Sequence, residues 1–252
     1  MANVIDEPEV LTLNPLKILN PFTLPERLRR VRDIVKGRSF LTVVAAALDW
    51  MADPDGDPET RDGATVINCS FTIPLSSRSS EERRLTYELL MDRVGKGLLE
   101  RGVALVKSAG NDGLEGPGSI TFPGNSPHFL TVGSVAADGE RAGSSSFGSP
   151  DDEVLKPDLM APGADIVSCD RRGKGAVEMS GTSMAAPHVT AAIALLQEAA
   201  PELPPQALYE VLRSTAKDLG AEGPDHENGH GLLDVPAAVA AVLEGKDPGG
   251  SR

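Results

Sequence analysis

Two polar groups in this sequence are spaced to do chemistry on a carbonyl. Ser183 ends the small-residue run Ser180-Gly181-Thr182-Ser183, just ahead of an apolar helical pattern from Met184 to Leu196. That pattern puts the serine at a helix N-terminus, where orphan amides and the positive end of the dipole favour negative charge. Asn111 directly follows the apolar run Val103-Ala-Leu-Val-Lys107, inside a Gly-Asn pair. A side-chain amide so placed can donate a hydrogen bond to an oxyanion. A serine nucleophile with such a donor is the equipment of acyl transfer, but the serine also needs a base. Each motif has a plainer reading too. Gly-Thr-Ser before a helix is an ordinary cap, and Gly-Asn after a strand is an ordinary turn.

The elements that must position these groups alternate in type. Val10 to Leu13 and Leu16 to Leu19 read as a strand and its continuation, and Leu24 to Val35 as a short basic amphipathic helix. Phe40 to Met51 is a strongly apolar helix. Ala64 to Phe71 is a largely apolar strand, of the kind buried on both faces. Ser79 caps a long helix to about Glu100, closed by Gly102. Strands follow at 103–107 and 129–135. Lys156 to Gly163 reads as a proline-punctuated connection and 164–168 as a short strand. Helices then run from Ser183, from about Pro204 to Ala216 and from Pro236 to Glu244. Strands alternating with helices predict an α/β fold with a mostly parallel sheet. Ligand sites in such sheets lie beyond the carboxyl ends of the strands, so Asn111 and Ser183 are expected to face one crevice.

Length and composition set the limits. A chain of 252 residues, 40% hydrophobic and 24% charged, suits one large domain, here 1–244 with a polar tail at 245–252. A net charge of −13 argues against nucleic acid or an anionic membrane as partner. Cys69 and Cys169 are a hundred positions apart with no metal-type spacing, and read as small buried thiols, with a disulfide as the alternative. The acidic turn Asp53-Pro-Asp-Gly-Asp57 starts like a calcium loop, but its glycine falls two places early and Ala64 stands where a glutamate is needed. The expectation is therefore a solvated turn and no cofactor, with structural calcium as the alternative. The first residues lack a basic region and a long apolar core, so this stretch is not a signal peptide, and the cellular compartment stays open.

Taken together, the motifs resemble one family. Ser180-Gly-Thr-Ser-Met-Ala-Ala-Pro-His-Val189 looks like the nucleophile motif of the subtilisin-like serine proteases, and Ser108-Ala-Gly-Asn111 like their oxyanion motif. Between and around them, Val66 to Ser70, Phe122-Pro-Gly124, Leu130 to Val135, Ser145 to Gly148, Lys156 to Gly163 and Gly229 to Val235 fall in the family's order. The resemblance covers about residues 40 to 243. It implies a three-layer sandwich of subtilisin type and cleavage of polypeptide substrates through a serine acyl-enzyme. It implies that Ser183 is the nucleophile and that its N–H and Asn111 bind the oxyanion. Ser108, Ala109 and Gly110 would then line one side of the P1 pocket, and Ser70 with Phe71 the other.

The pattern also breaks. The family's order of aspartate, histidine and serine has no aspartate or histidine motif here. Asp6, in Val-Ile-Asp-Glu-Pro, lacks the following glycine, and residues 9–52 resemble the segment that follows the histidine helix. The family domain is thus expected to be N-terminally incomplete in this sequence. His128, His188, His226 and His230 match no base position, and helical geometry turns His188 away from the Ser183 hydroxyl. Aspartate and histidine would have to come from an upstream segment or from another chain. Alone, the chain is expected to be an impaired protease, or a peptide- or partner-binding domain that keeps Ser183 by descent. In the cleft wall, Thr72 and Ile73, followed by Pro74, stand where the family commonly has glycines, which leaves cleavage specificity unread.

Overall fold

The computed structural model describes residues 10–12, 40–57, 59–60, 62–71, 81–149, 154–171, 173 and 175–245. The expected strand at 16–19, the helix at 24–35, the cap at Ser79, the substituted wall at 72–74 and the tail beyond 245 lie outside them, as does Asp6.

Five strands form one parallel sheet in chain order: β1 (Val10–Thr12), β2 (Val66–Cys69), β3 (Ala104–Ser108), β4 (Leu130–Val135) and β5 (Leu159–Pro162). Every residue of β2, β3 and β4 is buried. Both faces of the sheet are therefore covered, which is why these strands read as apolar runs rather than alternating ones. Successive side chains divide between two cores. Val66, Ala104, Val106, Leu130, Val132 and Leu159 face one, shared with helices α3 (Thr182–Ala199), α4 (Pro205–Thr215) and α5 (Val235–Leu243). Ile67, Cys69, Leu105 and Phe129 face the other, shared with α1 (Phe40–Ala52) and α2 (Glu81–Glu100). The result is a three-layer α/β sandwich, with the mostly parallel sheet that the alternation predicts and the layering that the resemblance implies.

Local chemistry sets the boundaries. In α1, Val44, Leu48 and Met51 follow helical spacing and are buried on one side. After α2, Gly102 takes φ +84°, a conformation that glycine adopts without penalty, and its N–H closes onto the Leu99 carbonyl at 3.0 Å. Asp234 caps α5 by accepting the Ala237 N–H at 3.0 Å.

Two segments differ from the sequence reading. Lys156 to Gly163 is not merely a connection, because Leu159–Pro162 pairs with β4 as the sheet's last strand. Prolines at 157 and 162 bracket the fully buried Leu159, Met160 and Ala161. Proline is tolerated at an edge, so it hid a strand rather than forbade one. The segment expected as a strand at 164–168 is β6 (Ile166–Cys169), but it stands outside the main sheet. It pairs antiparallel with β7 (Ala176–Met179), a strand the sequence reading missed, in a largely exposed hairpin that leads into α3. Cys169, at the end of β6, is therefore an exposed free thiol rather than a buried one, and only Cys69 is buried.

A buried ionic group fastens β5 to the helical layer. Lys156 Nζ lies 2.6 Å from Asp158 Oδ2 and donates to the Phe129 carbonyl at 2.7 Å, while Arg213 Nη2 of α4 lies 2.6 Å from Asp158 Oδ1. Burial alone would raise the Asp158 pKa, but the Lys156 and Arg213 charges more than offset that and hold the carboxyl below its ordinary value.

Candidate active site

The carboxyl ends of β2 and β3 and the N-terminus of α3 meet at one place. Gly181, at φ +144°, precedes α3, and its N–H donates to the Gly163 carbonyl at 2.7 Å. A β-carbon on Gly163 would fall 2.5 Å from Ser134 Cβ and 2.9 Å from the Gly181 carbonyl oxygen. Glycine at 163 is what lets the end of β5 approach the start of α3.

Thr182, the first residue of α3, is the clamp. Its N–H donates to Asn111 Oδ1 at 3.0 Å. Its hydroxyl accepts the Gly110 N–H at 3.1 Å and lies 3.1 and 3.2 Å from Gly110 O and Asn111 Oδ1. A backbone N–H can only donate, so the Asn111 atom facing it must be the oxygen. The Asn111 amide nitrogen is therefore turned away from Thr182, and it has no hydrogen-bond partner among the described residues. Thr182 is 1% exposed and Asn111 is exposed, so a buried residue fixes a solvent-facing donor.

Ser183 follows at the second position of α3, half-buried. Its N–H is one of the orphan donors of the first turn. Ser70, just past β2, donates from Oγ to the Ser183 carbonyl at 3.2 Å. Asn68 in turn donates to Ser70 Oγ at 3.0 Å, and Thr190 of α3 donates to Asn68 Oδ1 at 3.3 Å. The end of β2 is thus tied to α3 at two levels. Beside β3, Gly110 takes φ +115°, and a β-carbon there would fall 2.8 Å from Ser146 Oγ. Ser146 in turn accepts the Asp112 N–H at 3.0 Å and donates its own N–H to Gly110 O at 3.0 Å.

All the residues read from the sequence as site candidates, Ser183, Asn111, Ser70, Phe71, Ser108, Ala109 and Gly110, fall at these three chain ends. The sequence offers Thr182 or Ser183 as the cap of α3, but the cap position is Gly181 and carries no side-chain cap bond. The Thr182 hydroxyl at a helix start was the one signal in the sequence for its clamping role. The histidines stand elsewhere. His188 Nδ1 lies 2.9 Å from the Met184 carbonyl on the exposed side of α3, as its spacing predicted. His128 Nε2 is 2.9 Å from Asp92 on α2. His230 is half-buried near Arg213, and burial, helped by that charge, lowers its pKa. Among the described residues, no imidazole or carboxylate pairs with the Ser183 hydroxyl.

The acidic turn after α1 brings one oxygen each of Asp53, Asp55 and Asp62 within 4.8 Å of one another. Asp53 accepts the Gly56 N–H at 2.8 Å, and Asp55 accepts the Asp57 N–H at 2.9 Å. These are the bonds of an Asx-stabilised turn. Among the described residues, no helix is long and apolar enough to cross a membrane.

The loop after β3 and the start of α3 thus bring an oriented side-chain amide to a helix-opening serine. The Subtilase family model matches residues 33–231, and the chain belongs to that family. Bacillopeptidase F of Bacillus subtilis (strain 168) is 39% identical over 146 residues, 55% of this chain and 10% of that protein. The subtilisin-like protease PopC of Myxococcus xanthus (strain DK1622) is 32% identical over 202 residues, 77% of this chain and 41% of that one. The chain thus spans less than half of either relative. Among solved structures, the PatG macrocyclase in complex with peptide is similar at a TM-score of 0.63 and 27% identity, over 82% of this chain and 58% of that one.

Proposed function

We propose that this chain is the serine-bearing part of a subtilase endopeptidase domain. Ser183 is the nucleophile. Its backbone N–H and the Asn111 amide nitrogen receive the oxyanion of the tetrahedral adduct. Ser108 to Gly110 and Ser70 with Phe71 form the two walls that hold the P1 residue of a polypeptide. The observation that carries this reading is the Thr182–Asn111 bond at 3.0 Å, because it leaves the Asn111 donor pointing outward beside Ser183.

The same reading makes the chain on its own a weak protease. A serine with an ordinary hydroxyl is a poor nucleophile without a base. In subtilisin, losing the histidine alone costs about as much as losing all three triad members, leaving about 10³–10⁴ over water. An aspartate and a histidine supplied by another segment or a partner chain would complete the site. A pseudoprotease that only binds peptides is the second reading, favoured by the lack of a base at Ser183 among the described residues. Fluorophosphonate labelling separates the two. Slow labelling that disappears in Ser183→Ala supports an incomplete protease, and no labelling at any concentration favours the binding domain. Labelling at the rate of an intact serine protease contradicts both.

A further inference from the structure

Lys107 is the feature of this site that the acyl-transfer chemistry does not use. It lies in β3, in the middle of the sheet, and is 3% exposed. Its register partner is Cys69 of β2, and its ammonium stands 5.8 Å from the centre of the Phe71 ring. Nζ donates to the Ser108 carbonyl at 2.6 Å and to Ser108 Oγ at 3.0 Å. It therefore touches one wall of the proposed P1 pocket and faces the other.

Burying an ammonium is costly unless it is paired. The second fully buried lysine gives an internal comparison. Lys156 meets Asp158 at 2.6 Å, and Arg213 shares the same carboxylate. Lys107 has two neutral acceptors and, among the described residues, no carboxylate. The titratable group that faces it is the Cys69 thiol, which its own burial keeps neutral by pushing its pKa up to about 12. Among the described residues, then, no counter-charge meets this three-donor cation between the walls of the proposed P1 pocket.

We propose that Lys107 is a specificity-determining residue whose ammonium receives the carboxylate of an acidic P1 side chain, glutamate before aspartate because the charge is buried. The proposal rests on the reading of these walls as a P1 pocket. Burial, the largest influence, pulls the Lys107 pKa down to about 8, so the group still carries its charge near neutral pH. An entering carboxylate supplies the missing partner and strengthens that charged form.

Binding rather than turnover tests this, so the 252-residue chain is used as it stands. Acetylated tetrapeptide amides that differ only in the last residue (Glu, Gln or Leu) are titrated near neutral pH by calorimetry. The Glu peptide should bind at least about tenfold more tightly than its Gln isostere, the lower end for a close desolvated charge pair. Lys107→Met should abolish that ratio while the Leu peptide still binds. In the wild type, which needs no variant to fold, the ratio should fall as pH rises through about 8, with Leu binding unchanged. Equal binding of Glu and Gln, or a Glu preference that survives in Lys107→Met, overturns the assignment and leaves the pocket reading intact. Failure of all three peptides to bind overturns the pocket reading and the assignment with it.

Discussion

Asn111 turns its side-chain oxygen to the Thr182 N–H at 3.0 Å, one residue before Ser183. The bond decides which end of the amide faces the crevice. It joins the loop after β3 to the first turn of α3, so donor and serine are set by the same contact.

Removing the donor tests its role. Asn111→Ala should slow fluorophosphonate labelling of Ser183 without changing the fold. In subtilisin, loss of one such donor costs about 10²–10³ in turnover, and a fall of that order in labelling rate is expected here. An unchanged rate would show that Asn111 does not face the developing oxyanion.

Thr182→Val keeps the shape and removes the hydroxyl that serves Gly110 and Asn111. It leaves the half-buried Gly110 N–H without its partner. An unmet group of this kind costs about 1–3 kcal/mol, to be read from the midpoint of chemical denaturation. Labelling should slow as well, because Asn111 loses part of its support.

At Gly163 a methyl group has no room, since Ser134, the Gly181 carbonyl and Ala185 surround the position. Gly163→Ala should destabilise by about 1–3 kcal/mol, the usual cost of overpacking. Denaturation at the wild-type midpoint would mean that the approach of β5 to α3 is looser than the distances indicate.

The Asp158 cluster sets an acid limit. Its folded pKa lies below the unfolded one, so its contribution is present above the ordinary carboxylate value and is lost as pH falls through the folded pKa. Asp158→Ala strands Lys156 and should cost about 3–5 kcal/mol near neutrality. Equilibrium unfolding as a function of pH should show the gap between wild type and variant closing in acid.

Lys107 has the opposite linkage. Its folded pKa of about 8 lies below the unfolded 10.5. It therefore opposes folding below pH 8, and the penalty is relieved as pH rises towards 10.5. Lys107→Met should be more stable than wild type near neutrality, by something on the order of 3 kcal/mol before any repacking. The difference should shrink in alkali. A variant less stable than wild type at every pH would show that the lysine stem, not its charge, dominates.

Much of this was legible in the sequence because the motifs are short and local. Gly181-Thr-Ser183 had to open a helix, and Asn111 had to follow a strand. The alternation of apolar runs and amphipathic stretches then put both at one end of a parallel sheet. Three things were not legible. Prolines 157 and 162 disguised β5, because an edge tolerates proline and its burial comes from helices far along the chain. The hairpin partner β7 is short and exposed, so no core pattern announced it. The clamp by Thr182 needs Gly110 and Asn111, which stand about seventy residues earlier, and such a pairing exists only once the sheet has formed. That Lys107 meets no carboxylate among the described residues was hidden for a related reason. A lysine at a strand end reads as solvated until both walls are seen around it.

In the proposed function, Ser183 sits in a formed oxyanion site. The most direct test is a crystal structure of the chain after labelling has been driven to completion with a fluorophosphonate. The phosphoryl oxygen on Ser183 should lie within hydrogen-bonding distance of both the Ser183 N–H and the Asn111 amide nitrogen. A phosphoryl oxygen pointing into solvent, or label carried on a different residue, would contradict the claim.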